Sequence, residues 1–144
     1  GEGLGQVEST VVANSRHPLA RLKKVPRAEL VDAKWVVIDQ PHAQDFIDTF
    51  FAGANLPKPT HVVRTNSLSL IQGLIGSGQF LSVVPVHIVA DQIDAGTVRR
   101  VPVAEGTVRR DAALLSRRDV PLPVAAEPVI ESLRRHARTS LPQD

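Results

Sequence analysis

Over its first hundred positions the chain alternates short blocks of β-branched residues with segments whose apolar residues recur every three or four places. A strand hides every second side chain, whereas a helix returns to the same face about every 3.6 residues. A chain that switches repeatedly between these two periods buries both kinds of element only by layering helices on a sheet. The expected fold class is therefore α/β, with a mostly parallel sheet and flanking helices.

The blocks are specific. Residues 7–14 (VESTVVAN) read as a strand, and Pro18 then holds His17 out of helical geometry in an exposed turn. Pro26 can open a short helix at 27–30, and Trp35-Val36-Val37-Ile38 reads as a buried strand. Pro41 starts a helix with Phe46, Ile47, Phe50 and Phe51 on one face, and residues 61–64 form the next strand. Thr65-Asn66-Ser67 are three N-cap candidates for a helix carrying Leu68, Ile71, Leu74 and Ile75. A strand at 80–84 closes at Pro85, a helix fills 86–95, and strands follow at 98–103 and 112–116. The last helix carries Ala126, Val129, Ile130, Leu133 and Ala137 along one stripe.

Composition narrows the function. With 144 residues, 42% of them hydrophobic and 22% charged, the chain is a single soluble globular domain. No apolar run approaches the roughly 18 residues of a membrane span, and no basic-then-apolar leader opens it, so a cytoplasmic location without membrane contact is expected. Cysteine is absent, which removes disulfides, thiolate ligands and a thiol nucleophile. Methionine is absent too, and the chain reads as a fragment of something longer. Thirteen arginines outnumber four lysines, but the Arg doublets are scattered among acids, and Tyr is missing. That pattern suits a solvated surface better than a nucleic-acid face.

No catalytic constellation emerges. Gly76-Ser77-Gly78 follows a helix and precedes a strand, the reverse of a phosphate loop. The five histidines, at 17, 42, 61, 87 and 136, never take the i, i+4 spacing of a helical metal site. There is no G-x-S-x-G elbow, and Asp45 and Asp48 read as outward charges on a helix. The expectation is no enzyme, no metal and no cofactor. What remains is a repeated geometry: Gln40-Pro41-His42 and Thr65-Asn66-Ser67 are strand-to-helix turns at the carboxyl ends of their strands. Ligands of open α/β sheets bind at that edge, and helix starts favour carboxylates and other anions.

The order of motifs adds a resemblance. His17-Pro18-Leu19-Ala20, then Trp35 to Ile38, then Phe50-Phe51-x-x-x-Asn55-Leu56-Pro57, form a first series. Thr65-x-Ser67, Leu74-Ile75-x-Ser77-Gly78, Leu81-x-Val83-Val84-Pro85, Ala95-Gly96-x-Val98 and Val101-Pro102-Val103 follow, before a Pro-rich loop and a final amphipathic helix. Over residues 7–138 this resembles the effector-binding domain of LysR-type transcriptional regulators. The resemblance implies half of a type 2 periplasmic-binding-protein-like fold. Residues 7–111 would be the second α/β half, and 112–140 the return strand and C-terminal helix of a partial domain spanning 1–144. It implies a small-molecule effector, a carboxylate in particular, met by Gln40, Pro41, His42, Thr65, Asn66 and Ser67. It also implies DNA contact only through a helix-turn-helix domain outside this chain, and a homo-oligomer. Pro41-His42 departs from the small hydroxyl residue or glycine common at that turn, so the ligand class is less constrained there. A transporter's solute-binding protein shares the fold and is the alternative.

Overall fold

The computed structural model describes residues 1–141. Its elements are β1 (Glu2–Asn14), β2 (Lys34–Ile38), α1 (Pro41–Ala52), β3 (Val62–Thr65), α2 (Leu68–Gly76), β4 (Phe80–Pro85), α3 (Ala90–Asp94), β5 (Val98–Arg100), β6 (Thr107–Leu114) and α4 (Ala126–Ser140), with 3-10 turns at Pro18–Arg21, Arg27–Leu30 and Val86–Val89. The chain divides into two compact units: Ser9–Val108, and Gly1–Glu8 with Arg109 onward.

In the Ser9–Val108 unit the sheet order is β3-β2-β4-β1-β5. β2 pairs in parallel with β3 and β4, while β1 pairs antiparallel with β4 and β5. Four of these five strands therefore point the same way, with β1 reversed. The sheet is mostly parallel by direction, as the alternating blocks require.

Both faces of this sheet are covered, and the pleat decides which residue goes where. Val11, Ala13, Trp35, Val37, Leu81 and Val83 point to one side, against Ile47, Phe50 and Phe51 of α1. Val12, Val36, Val84 and Val98 point to the other, against Ile71 and Ile75 of α2 and against Val89. Strands buried on both sides show near-continuous apolar runs: residues 35–38 are apolar throughout, and 80–84 are interrupted by Ser82 alone. Among the described residues the buried polar side chains are satisfied: the Trp35 indole donates to the Leu30 carbonyl (3.0 Å), and Ser82 Oγ donates to the Val36 carbonyl (2.6 Å). Phe51 meets Trp35 edge-on, and the Arg27 guanidinium lies 4.9 Å over the Phe50 ring.

Several boundaries differ from the sequence reading. β1 begins at Glu2 rather than residue 7. The helix expected over 86–95 is a 3-10 turn followed by the five-residue α3, entered through Pro85 without a side-chain cap. The strand expected at 98–103 stops at Arg100, before Pro102 removes a backbone donor, and Val103 then bridges Val25. β6 runs from Thr107 to Leu114, so Arg109 and Arg110 lie within a strand rather than before one. Gly106, ahead of β6, has no room for a side chain: a Cβ there would meet Val103 Cγ1 at 2.6 Å. His17 is buried, not exposed. Its Nδ1 accepts the Leu19 N–H (3.1 Å) and caps the 3-10 turn, and burial lowers its pKa below the ordinary histidine value.

The second unit consists of the first part of β1, β6 from Arg109, the connecting loop and α4. Gln6 meets Asp111 and Glu8 meets Arg109, stepping in opposite senses along the two strands as an antiparallel pair does. Arg134 of α4 grips the Glu2 carboxylate through Nε and Nη2.

Candidate functional site

Strand pairing decides whether the two turns meet. β2 and β3 lie in parallel with Ile38 opposite Thr65, so both strands end at the same level of the sheet. The Asp39 N–H donates to the Thr65 carbonyl (3.1 Å), tying the start of one turn to the start of the other. Gln40-Pro41-His42 and Thr65-Asn66-Ser67 are thereby neighbours on one edge.

The two helix starts are built differently. At α2, Ser67 is the N-cap and its Oγ accepts the Leu70 N–H (3.2 Å). Thr65 Oγ1 accepts the Ser67 N–H (3.0 Å). Each hydroxyl acts as an acceptor in these bonds and keeps its own proton for another acceptor. Asn66 between them is exposed. At α1, Gln40 holds the N-cap position without a side-chain bond, and its carbonyl accepts from Ala43 and Gln44. Pro41 takes the first helical position, where a missing N–H costs nothing. His42 is exposed on the first turn.

This edge has the chemistry of an oxygen-ligand site: two hydroxyl donors above a helix start, whose free N–H groups carry partial positive charge. Asp39 stands at the same edge and contributes the opposite sign. Further along α1, Lys58 and Gln44 bind the Asp48 carboxylate at 3.0 and 2.6 Å and hold it below the usual carboxylate range. Asp48 is therefore part of a surface ion pair, while Asp45 is exposed. Among the described residues no three metal-capable side chains cluster, and no helix is long and apolar enough to cross a membrane.

The same unit has a hollow of about 270 Å³ at the other end of the sheet, where β5 starts and α2 stops. Ile75, Val89 and Val98 line it together with the amides of Asn14, Gln72 and Gln92. The sequence reading placed Ile75, Val89 and Val98 in core elements and nominated none of these residues as a site. A buried amide such as Asn14, which closes β1 by accepting the Arg16 N–H, looks in sequence like any turn asparagine.

The comparisons with known proteins agree with this architecture. The family model described as "LysR substrate binding domain" matches residues 2–138. The HTH-type transcriptional regulator GalR of Pseudomonas putida is 32% identical over 119 residues, which is 81% of this chain and 30% of that protein. The CcmR regulatory domain of Synechocystis, solved in complex with 2-PG, superposes with a TM-score of 0.72 at 17% identity, covering 97% of this chain and 67% of that one. The effector binding domain of QuiR, in complex with shikimate, gives 0.70 at 18% identity, covering 97% and 66%. The chain thus spans less than a third of its curated relative and about two thirds of these solved domains. Its α/β fold is that of these type 2 periplasmic-binding-protein-like domains. By the extent of the family match, the chain belongs to the LysR substrate-binding domain family, the effector-binding part of transcriptional regulators and not an enzyme.

Proposed function

We propose that this chain senses a small carboxylate at the edge formed by Gln40-Pro41-His42 and Thr65-Asn66-Ser67, and relays its binding to a DNA-binding domain elsewhere in a LysR-type regulator. The observation that carries this is the parallel register of β2 and β3, with Ile38 opposite Thr65. It supplies the paired helix starts that an anion needs. The ligands named for two related domains, 2-PG and shikimate, support an acidic, hydroxylated effector. In this reading residues 7–111 form the ligand-facing half, and 112–140 the return strand and helix. The regulator works in the cytoplasm, where it meets DNA only through its helix-turn-helix. The match to a transcriptional regulator favours this over a transporter's solute-binding protein.

The test is calorimetry of a panel of small carboxylates against the regulator carrying this chain, then against Thr65→Ala, Ser67→Ala and His42→Ala. A hydrogen bond to a charged group contributes about 1.5–3 kcal/mol, so losing either hydroxyl should weaken the best ligand roughly tenfold or more. Affinity unchanged in all three variants would take the edge out of the site.

A further inference from the structure

The hollow of about 270 Å³ where α2 stops and β5 starts lies at the opposite end of the sheet from the two strand-to-helix turns. It belongs wholly to the Ser9–Val108 unit, and the residues lining it include no charged side chain. Ile75, Val89 and Val98 form an apolar wall, and the amides of Asn14, Gln72 and Gln92 form a polar one. Small-molecule sites have this make-up, apolar walls with a few placed polar groups, from roughly 300 Å³ upward. A hollow at the lower end of that range suits a single ring.

Hydrogen-bonding capacity is left over at the polar wall. Asn14 is 7% exposed, and its oxygen accepts from the Arg16 N–H (2.9 Å) and Nε (3.4 Å). Its nitrogen donates to the Gly76 carbonyl (3.4 Å), which uses one of the two N–H groups a primary amide carries. Gln72 donates to the Ile88 carbonyl (3.3 Å), and its oxygen meets no hydrogen-bond donor among the described residues. The Gln92 backbone is pinned, its carbonyl accepting from the N–H and the hydroxyl of Thr97 (2.9 and 3.2 Å). Its side-chain amide makes no hydrogen bond among the described residues. α2 ends at Gly76 in the same wall, and the carbonyl end of a helix carries partial negative charge, which disfavours an anion.

We propose that this hollow is a second binding site, for a small uncharged ring with an amide or imide edge. Such an edge sets an N–H beside a C=O. A carboxamide side chain matches that pattern with two bonds at once, as Asn and Gln match the edge of adenine. The aliphatic wall takes the face of the ring, and the spare amide groups take its edge. α2 then serves a ligand at each end, with Ser67 on the anion edge and Gly76 here. The two sites share no residue, so this one stands whether or not the carboxylate reading does.

Uracil, a neutral ring with such edges, is the probe, and benzene is the control that suits the apolar wall without amide pairing. Titrated into the 144-residue chain, uracil should give saturable NMR shifts centred on Asn14, Gln72, Gln92 and Val98. Benzene should give none. Gln92→Ala should weaken uracil about three- to tenfold, the loss of a neutral hydrogen bond. Gly76 lies in the wall with open space where a Cβ would stand. Gly76→Leu therefore occupies the hollow from a helical position that favours leucine over glycine, and should abolish the shifts. The absence of saturable shifts with uracil would overturn the proposal, as would equal binding of benzene. Binding indifferent to both variants, or shifts centred on Thr65 to Ser67, would overturn it too.

Discussion

The two units of this chain are held by different forces. In Ser9–Val108, side chains of β1, β2 and β4 are sealed on both faces of a sheet, and Trp35, Phe51 and Leu81 have lost all contact with water. In the other unit, Ile130 and Ala137 are the buried apolar side chains of α4, and the Arg134–Glu2 and Arg109–Glu8 pairs lie at the surface. Burying a large apolar side chain contributes about 1.5–3 kcal/mol, whereas an exposed ion pair is worth between nothing and about 1 kcal/mol. Equal lengths of regular structure therefore do not mean equal stability. The first unit carries its own core, and the second buries few apolar side chains of its own.

Trp35→Ala should give the largest effect that probes this contrast. It empties the centre of the larger cluster and strands the Leu30 carbonyl, costing about 3–5 kcal/mol in urea unfolding. If, during urea unfolding of the wild type, α4 kept its helical signal after the fluorescence of Trp35, the single tryptophan, had changed, the two units would be shown to unfold separately.

His17 should give a smaller, pH-dependent effect within the same unit. Burial lowers its folded pKa below 6.5, and its Nδ1 accepts a hydrogen bond only while unprotonated. The unfolded chain therefore takes up a proton that the folded chain refuses. Stability is whole above about pH 6.5 and falls as the pH drops below it. The urea midpoint should decline between pH 7.5 and 5.5 in the wild type and decline less in His17→Asn; parallel declines would remove His17 from the account. Glu2→Gln should have the smallest effect. Arg134 holds this carboxylate below its usual range, but the pair is partly exposed at the surface, so the variant should leave the urea midpoint within error and speed exchange only at α4 amides. A large fall in the midpoint would mean that the ion pair contributes far more than a surface pair should.

The same contrast explains what could be read in advance. Trp35 to Ile38 and Phe80 to Val84 announce themselves, because burial on both faces leaves an apolar run, broken in the second strand by Ser82 alone. Residues 2–6, Glu-Gly-Leu-Gly-Gln, carry no such pattern, and Arg109-Arg110-Asp111 resemble a surface loop. They are strands because each pairs with the other, and backbone pairing leaves no mark on side-chain choice. Pro41 and Ser67 were legible as helix starts, one at the first helical position and the other as N-cap. That the turns are neighbours depended on register, which a single sequence does not state. His17 escaped because the proline after it reads as a surface turn, whereas the ring is folded inward as a cap.

The Ser9–Val108 unit starts and finishes at one spot, for the hydroxyls of Thr10 and Thr107 touch at 2.9 Å. A segment whose ends adjoin is topologically a closed ring with a single gate. It can be reopened at another loop, or spliced into a surface turn of a host protein, without stretching a strand. Ligand-induced ordering inside such an insert would then register as strain at one point of the host.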